Sequence, residues 1–188
     1  AFSAEAQIVR ELGKFLMNGS LYRGAKPVLW SVVEKTALAD AEVEYEDHTS
    51  TTVWVRFPIQ KTGVKALEGQ SIVIWTTTPW TLPGNRAIAF GADIDYAVVE
   101  VVGKDEKSKA RIGERFAVAE ALRETVLKSA GITDHKVVER LKGVELAGTV
   151  TRHPWHGKGY DFDVNLYPGD FVTTEAGTGF VHIAPGHG

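Results

Sequence analysis

The stretch Val53-Trp54-Val55-Arg56-Phe57-Pro58-Ile59 decides the fold. Val53, Val55, Phe57 and Ile59 fall on one side, opposite Thr52, Trp54 and Arg56. A period of two is that of a strand with one face turned to a core. Downstream, Ile72 to Trp75 is a continuous apolar run, the pattern of a strand buried on both faces. Further strands are expected at Ala87 to Phe90, Tyr96 to Val102, Phe116 to Ala119, Leu146 to Thr151 and Gly179 to Ala184, with another through Asp161 and Asp163. Short strands with turn signals every ten or so residues predict a closed or nearly closed β-barrel.

Helical spacing occurs twice. Ile8, Val9, Leu12, Phe15 and Leu16 recur at helix period between Ala4 and Met17, with Ser3 as the expected cap and Asn18-Gly19 as the stop. Glu120 to Ala130 places Leu122, Val126, Leu127 and Ala130 on one face and ends at Gly131. The fold class is therefore α+β, mainly β, with peripheral helices. We expect residues 1–35 to form a helical connecting segment and 36–188 the barrel. The chain has 188 residues, enough for one domain with a real core. It starts without Met and stops at Gly186-His187-Gly188, as a piece cut from something longer would.

Composition removes several classes of function. Without cysteine there is no disulfide, thiolate nucleophile or Cys-based zinc site, and a cytoplasmic location is expected. No apolar run reaches the ~18 residues that span a bilayer, so no membrane partner is expected. A net charge of −3 argues against nonspecific coating of nucleic acid, though not against local recognition of one nucleotide end. The one dense basic cluster, Lys104 to Arg111, reads as a solvated loop tip.

The most unusual segment is Trp75-Thr76-Thr77-Thr78-Pro79-Trp80-Thr81-Leu82-Pro83-Gly84-Asn85-Arg86. A strand runs into three threonines and then a proline that cannot donate to a ladder, so hydroxyls and amides become available to a ligand or to local turns. The second is Gly177-Thr178-Gly179-Phe180-Val181-His182-Ile183-Ala184-Pro185-Gly186-His187-Gly188. No Lys-Ser/Thr follows Gly177-Thr178-Gly179, which excludes a phosphate loop. In the strand, Val181 and Ile183 suit a core, while His182 between Phe180 and Ala184 suits a pocket wall or a hydrogen-bonded core histidine. His153, His156, His182 and His187 are weak metal candidates, because Pro154 keeps the first pair off a regular helix face. No metal is expected. No G-x-S-x-G elbow occurs, and Asp161 and Asp163 read as a solvated edge rather than a carboxylate pair.

These two segments resemble the editing motifs of class I aminoacyl-tRNA synthetases. Trp75 to Thr81 looks like the threonine-rich peptide in the connective polypeptide of the isoleucyl members, whereas valyl and leucyl members carry an arginine before the proline. Gly177 to Gly188 looks like the second editing motif, and Thr36 to Tyr45 resembles the entry into the insertion. The resemblance implies the β-barrel editing domain of valyl-, isoleucyl- and leucyl-tRNA synthetases, hydrolysing valyl-tRNA(Ile). It implies catalytic roles for Thr76, Thr77, Thr78 and His182, and substrate contacts from Trp80, Thr81, Asn85, Phe180, Gly186 and His187.

The implied partners are the tRNA(Ile) 3′ end carrying valine, valine or valyl-adenylate, and the catalytic domain of the parent synthetase. No cofactor is implied for this domain; ATP and Mg belong to the parent enzyme. An aspartate that grips the substrate ammonium in the family follows the histidine by nine positions, three past Gly188, so weak or absent editing by this piece is expected. The alternatives are a non-catalytic module that docks the tRNA acceptor end, a β-barrel sensor of free branched amino acids, and the editing domain of a valyl or leucyl enzyme.

Overall fold

The computed structural model describes residues 2–25 and 27–186. The chain divides into two compact units, Ala1–Asp47 and His48–Gly188. In the first, α1 (Phe2–Met17) takes in Ser3, so Ser3 lies inside the helix instead of capping it. Gly19, at φ 81°, stops the helix with its N–H on the Leu16 carbonyl, since a glycine tolerates the left-handed backbone that a helix end requires. A short antiparallel pair, β1 (Trp30–Ser31) and β2 (Thr36–Ala37), follows.

The second unit is built from β3 (Val53–Lys61), β4 (Ser71–Thr76), β5 (Ala87–Phe90), β6 (Asp95–Lys104), β7 (Arg115–Ala119), α2 (Arg123–Ser129), β8 (Ile132–Lys142), β9 (Val150–Arg152), β10 (Asp163–Pro168) and β11 (Phe180–Ile183). Six strands form one sheet in the order β11-β5-β10-β9-β3-β4, and three form another, β7-β6-β8. Among the described residues only the β10–β5 pair is parallel. The larger sheet curls until its terminal strands, β11 and β4, lie against each other, which makes it a nearly closed barrel. The alternating inner positions fill the core, including Phe57, Ile72, Ile74, Ile88, Val98 and Leu166.

Thr178 and Gly179 lock the seam. The Thr178 hydroxyl donates to the Val73 carbonyl of β4 at 2.7 Å, and its own carbonyl accepts from Ala119 N–H of β7 at 2.9 Å. The Tyr96 hydroxyl of β6 donates to the Gly179 carbonyl at 2.6 Å while accepting from Gly91 N–H at 3.1 Å. Gly179 has φ 83°, and a Cβ there would lie 2.6 Å from the Ala119 methyl. Both the backbone and the close approach demand glycine at this position. Burial of the Tyr96 ring pushes its hydroxyl up to about 12, against the opposing pull of the Gly91 N–H.

Several expectations are corrected. β4 is not buried on both faces: Ile72, Ile74 and Thr76 are buried, whereas Val73 and Trp75 are half-buried. The strand expected over Leu146 to Thr151 is a 3-10 turn (Gly143–Leu146) followed by the shorter β9. A side chain at Gly143 would collide with the Gly91 carbonyl, 1.9 Å from its Cβ position, which places the turn against the β5–β6 connection. The helix expected at Glu120 to Ala130 opens as a 3-10 turn and becomes α-helical only in α2. On β11 the deeper face carries Phe180 and His182, while Val181 and Ile183 are half-buried. Among the described residues no helix is long and apolar enough to cross a membrane.

Candidate functional site

β4 ends at Thr76, where the chain bends, and a six-residue 3-10 segment (Pro79–Gly84) carries it to β5. Pro79 starts that segment because its missing N–H is no loss at a helical first position. The Thr76 hydroxyl accepts the Thr78 N–H at 3.0 Å, which folds the three threonines into a tight turn. The Thr76 and Thr78 hydroxyls thereby come within 3.2 Å of each other. Thr76 is buried, Thr77 and Thr78 are half-buried, and the Thr77 hydroxyl makes no hydrogen bond among the described residues.

His182 reaches the same segment from β11, buried at 6% exposure. Register places it opposite Ile88 of β5, just past Asn85. Asn85 Nδ2 lies 2.7 Å from His182 Nδ1 and 2.9 Å from the Ala87 carbonyl. An amide turned the other way would set its oxygen against that carbonyl, so the nitrogen faces both groups and donates to Nδ1. The ring proton then sits on Nε2 and is donated to Thr81 Oγ1 at 2.8 Å, and Thr81 in turn donates to the Thr78 carbonyl at 2.9 Å. The result is one directed chain, Asn85 to His182 to Thr81 to Thr78. It fixes the imidazole and engages both of its nitrogens. The Asn85 side-chain oxygen, fully buried, has no hydrogen-bond partner among the described residues.

The structure thus brings Thr76, Thr77, Thr78, Thr81, Asn85 and His182 into one cluster. Trp80 stands at its edge with 73% of its surface exposed. Phe180 lies away from it, in the core against Tyr96 with ring centroids 4.9 Å apart. Gly186 is exposed in a turn at φ 74°, and His187 lies outside the described residues.

His153 is a member of the site's surroundings that sequence reasoning weighed only as a metal ligand. It is buried, its Nε2–H donates to the Leu82 carbonyl at 2.9 Å, and its Nδ1 accepts the Trp155 N–H at 3.2 Å. Its ring stacks on Tyr160 at 4.7 Å and packs against Trp155 and Phe162. Both nitrogens are committed, so His153 holds the Pro79–Gly84 segment at Leu82, one residue on from the Thr81 that His182 engages. Arg86 braces the end of that segment, with its Nη1 on the Asn85 carbonyl at 2.7 Å and its guanidinium over the Phe162 ring at 4.7 Å. His156 is half-exposed beside Asp161. No three His, Asp or Glu side chains among the described residues gather as metal ligands would.

Known proteins resemble this chain at two levels. A family model described as tRNA synthetases class I (I, L, M and V) matches residues 1–139. An isoleucine–tRNA ligase of Gluconobacter oxydans (strain 621H) is 56% identical over 189 aligned residues, covering 100% of this chain and 20% of that protein. One from Pelagibacter ubique (strain HTCC1062) is 53% identical with the same coverage. The chain therefore spans about a fifth of the length of the curated relatives it matches. Among solved structures, the cytosolic leucyl-tRNA synthetase editing domain of P. knowlesi superposes with a TM-score of 0.51 at 11% identity, over 74% of this chain and 60% of that one. Its P. falciparum counterpart gives 0.50 at 11%, over 70% and 60%. At such identity the likeness speaks for the fold alone.

Proposed function

We propose that this chain, which belongs to the class I tRNA synthetases, is the editing module of an isoleucine–tRNA ligase and hydrolyses valine misattached to tRNA(Ile). The observation that carries the reading is the directed chain from Asn85 through His182 and Thr81 to Thr78, beside the paired Thr76 and Thr78 hydroxyls. It combines hydroxyl and amide groups suited to an aminoacyl ester with a rigid imidazole wall suited to measuring a side chain.

The physical need is discrimination. One methylene in an apolar pocket is worth about 1–3 kcal/mol, a general limit for which isoleucine and valine are themselves the standard illustration. A synthetic site cannot exclude the smaller amino acid sterically, but a second pocket can exclude the larger. In this reading Thr76, Thr77 and Thr78 hold the ester and the terminal adenosine, Trp80 and Thr81 shape the rim, and His182 is the wall that valine clears and isoleucine does not. Asn85 keeps that wall in place.

The ester is already activated, so no covalent nucleophile is required. A positioned water attacks the carbonyl carbon, and the carbon–oxygen bond to the ribose breaks. The ribose oxygen takes up the proton that the water loses, freeing valine and uncharged tRNA. Orientation of the water and polarisation of the carbonyl by the threonine hydroxyls and amides supply the catalysis. Valyl-adenylate would enter the same pocket. Aminoacylation with ATP and Mg belongs to the catalytic domain of the parent synthetase, in the cytoplasm.

The test is deacylation of valyl-tRNA(Ile) and isoleucyl-tRNA(Ile) by the parent synthetase. A preference for the valyl ester of about 10- to 200-fold is expected. Thr76→Ala with Thr78→Ala should abolish cleavage while tRNA binding holds. Unchanged cleavage in that double variant would overturn the reading. Equal hydrolysis of the two esters by the unaltered enzyme would overturn the valine specificity.

A further inference from the structure

A cavity of about 430 Å³ lies beside the β3–β4 hairpin, and none of Thr76, Thr77 and Thr78 lines it. Its walls are apolar and include Trp54, Val73 and Phe116, and its rim is made by the β6–β7 connection that carries Lys107 and Lys109. Trp54 keeps 39% of its surface exposed at the opening. Of the rim charges, Arg56 is committed: it holds Glu114 through two hydrogen bonds, at 2.8 and 3.1 Å, and the Lys109 carbonyl at 2.9 Å. Lys107 and Lys109 make no side-chain hydrogen bond or ion pair among the described residues; of the two carboxylates on the lining, Glu114 is paired with Arg56, which leaves Asp105 against the two lysines. In a chain of net charge −3, this rim keeps a surplus of positive charge.

We propose that this cavity seats an unpaired nucleotide of the tRNA strand leading to the 3′ end, its base against Trp54 and its phosphate between Lys107 and Lys109. Three observations favour RNA over an apolar protein side chain. The volume falls in the range of sites that enclose a ligand of nucleoside size. An exposed indole beside free lysines pairs the two features by which single-stranded nucleic acid is held, a stacking platform and phosphate neutralisation. The position also fits. Val53, on the cavity lining, pairs with Thr76, and Trp54 pairs with Trp75, so the cavity adjoins the strand end that bears the threonines. The identity of the RNA rests on the editing reading; the cavity and its chemistry do not.

The experiment uses the full chain with two probes, an uncharged tRNA(Ile) transcript and a non-hydrolysable valyl-adenosine analogue. Lys107→Ala with Lys109→Ala should weaken transcript binding about ten-fold and flatten its log–log salt dependence by about 0.7, the value for one phosphate contact on a single strand. Analogue binding should not change. Lys107→Arg with Lys109→Arg should restore both affinity and slope. Trp54→Leu should cost about ten-fold in transcript affinity without changing the slope.

Equal transcript affinity in the alanine pair would overturn the proposal, as would an arginine pair as weak as the alanine pair. Trp54→Leu that spares the transcript but weakens association with the rest of the synthetase would assign the cavity to a protein side chain and overturn it too. Transcript binding that depends on the lysines, with no analogue binding by the parent synthetase's editing module, would sink the editing reading and leave the cavity proposal standing.

Discussion

His153 and His182 make an instructive pair. Both are buried, both use both ring nitrogens, and both bond the same segment, Pro79–Gly84, at the neighbouring residues Thr81 and Leu82. Their surroundings differ. His153 sits among the rings of Tyr160, Trp155 and Phe162 and touches only backbone through hydrogen bonds. His182 is held by two polar side chains, one of which hands its own proton on to the threonine turn. An imidazole packed by rings serves as mortar, whereas one suspended between hydroxyl and amide presents a defined polar surface. Burial and hydrogen-bond count cannot separate the two; only the identity of the partners does.

The comparison can be broken by substitution. The largest effect is expected from His153→Ala, which removes a ring from a packed cluster and orphans the Leu82 carbonyl. Loss of about 3–5 kcal/mol should be measured by urea denaturation. Because the loop would shift as a whole, valyl and isoleucyl hydrolysis should fall together. His182→Ala should cost less, about 2–3 kcal/mol for the unpaired Thr81 and Asn85 groups. In this variant the ratio should move, with isoleucyl-tRNA(Ile) cleaved at a rate approaching that of the valyl ester. A ratio that shifts in the His153 variant and holds in the His182 variant would reverse the assignment.

The smallest effect sharpens the contrast by separating the placement of β11 from the imidazole it carries. Tyr96→Phe removes the hydroxyl that holds Gly179, at about 1–2 kcal/mol near neutral pH, and should leave the ratio intact. It also has a pH signature. The folded protein keeps the Tyr96 proton up to about 12, above the ordinary value of 10.0. Between those values the native state binds more protons than the unfolded one, so this contribution is whole below pH 10 and is lost as pH rises towards 12. Denaturation at pH 9 and pH 11 should show that loss in the unaltered chain, with a correspondingly smaller one in the phenylalanine variant.

Much of the barrel was legible. The strands β3, β5, β6, β7 and β11 stand close to where alternating or continuous apolar runs put them. The longest strand, β8, escaped. Its apolar residues Ile132, Val137, Val138 and Leu141 do not alternate, because register shifts in its pairing with β6 break the period of two. The threonine turn and His182 were legible as separate oddities, and their union came from resemblance. Local patterning carries no information about a hydrogen bond between residues 101 apart. The role of Gly177-Thr178-Gly179 as the seam lock could be seen only once β4 and β11 had met.

That seam has a consequence for how the protein is made. The Thr178 bond to Val73 links residues 105 apart, and the Asn85–His182 bond links residues 97 apart. Chain-loop entropy must be overcome before either contact gives anything back, so both belong to the slow, late part of folding. On the ribosome the threonine turn emerges long before its imidazole counterpart. A nascent chain halted anywhere short of β11 has an open sheet edge and no imidazole over the threonine turn, and such a pause would expose β4 as a pairing template for other chains.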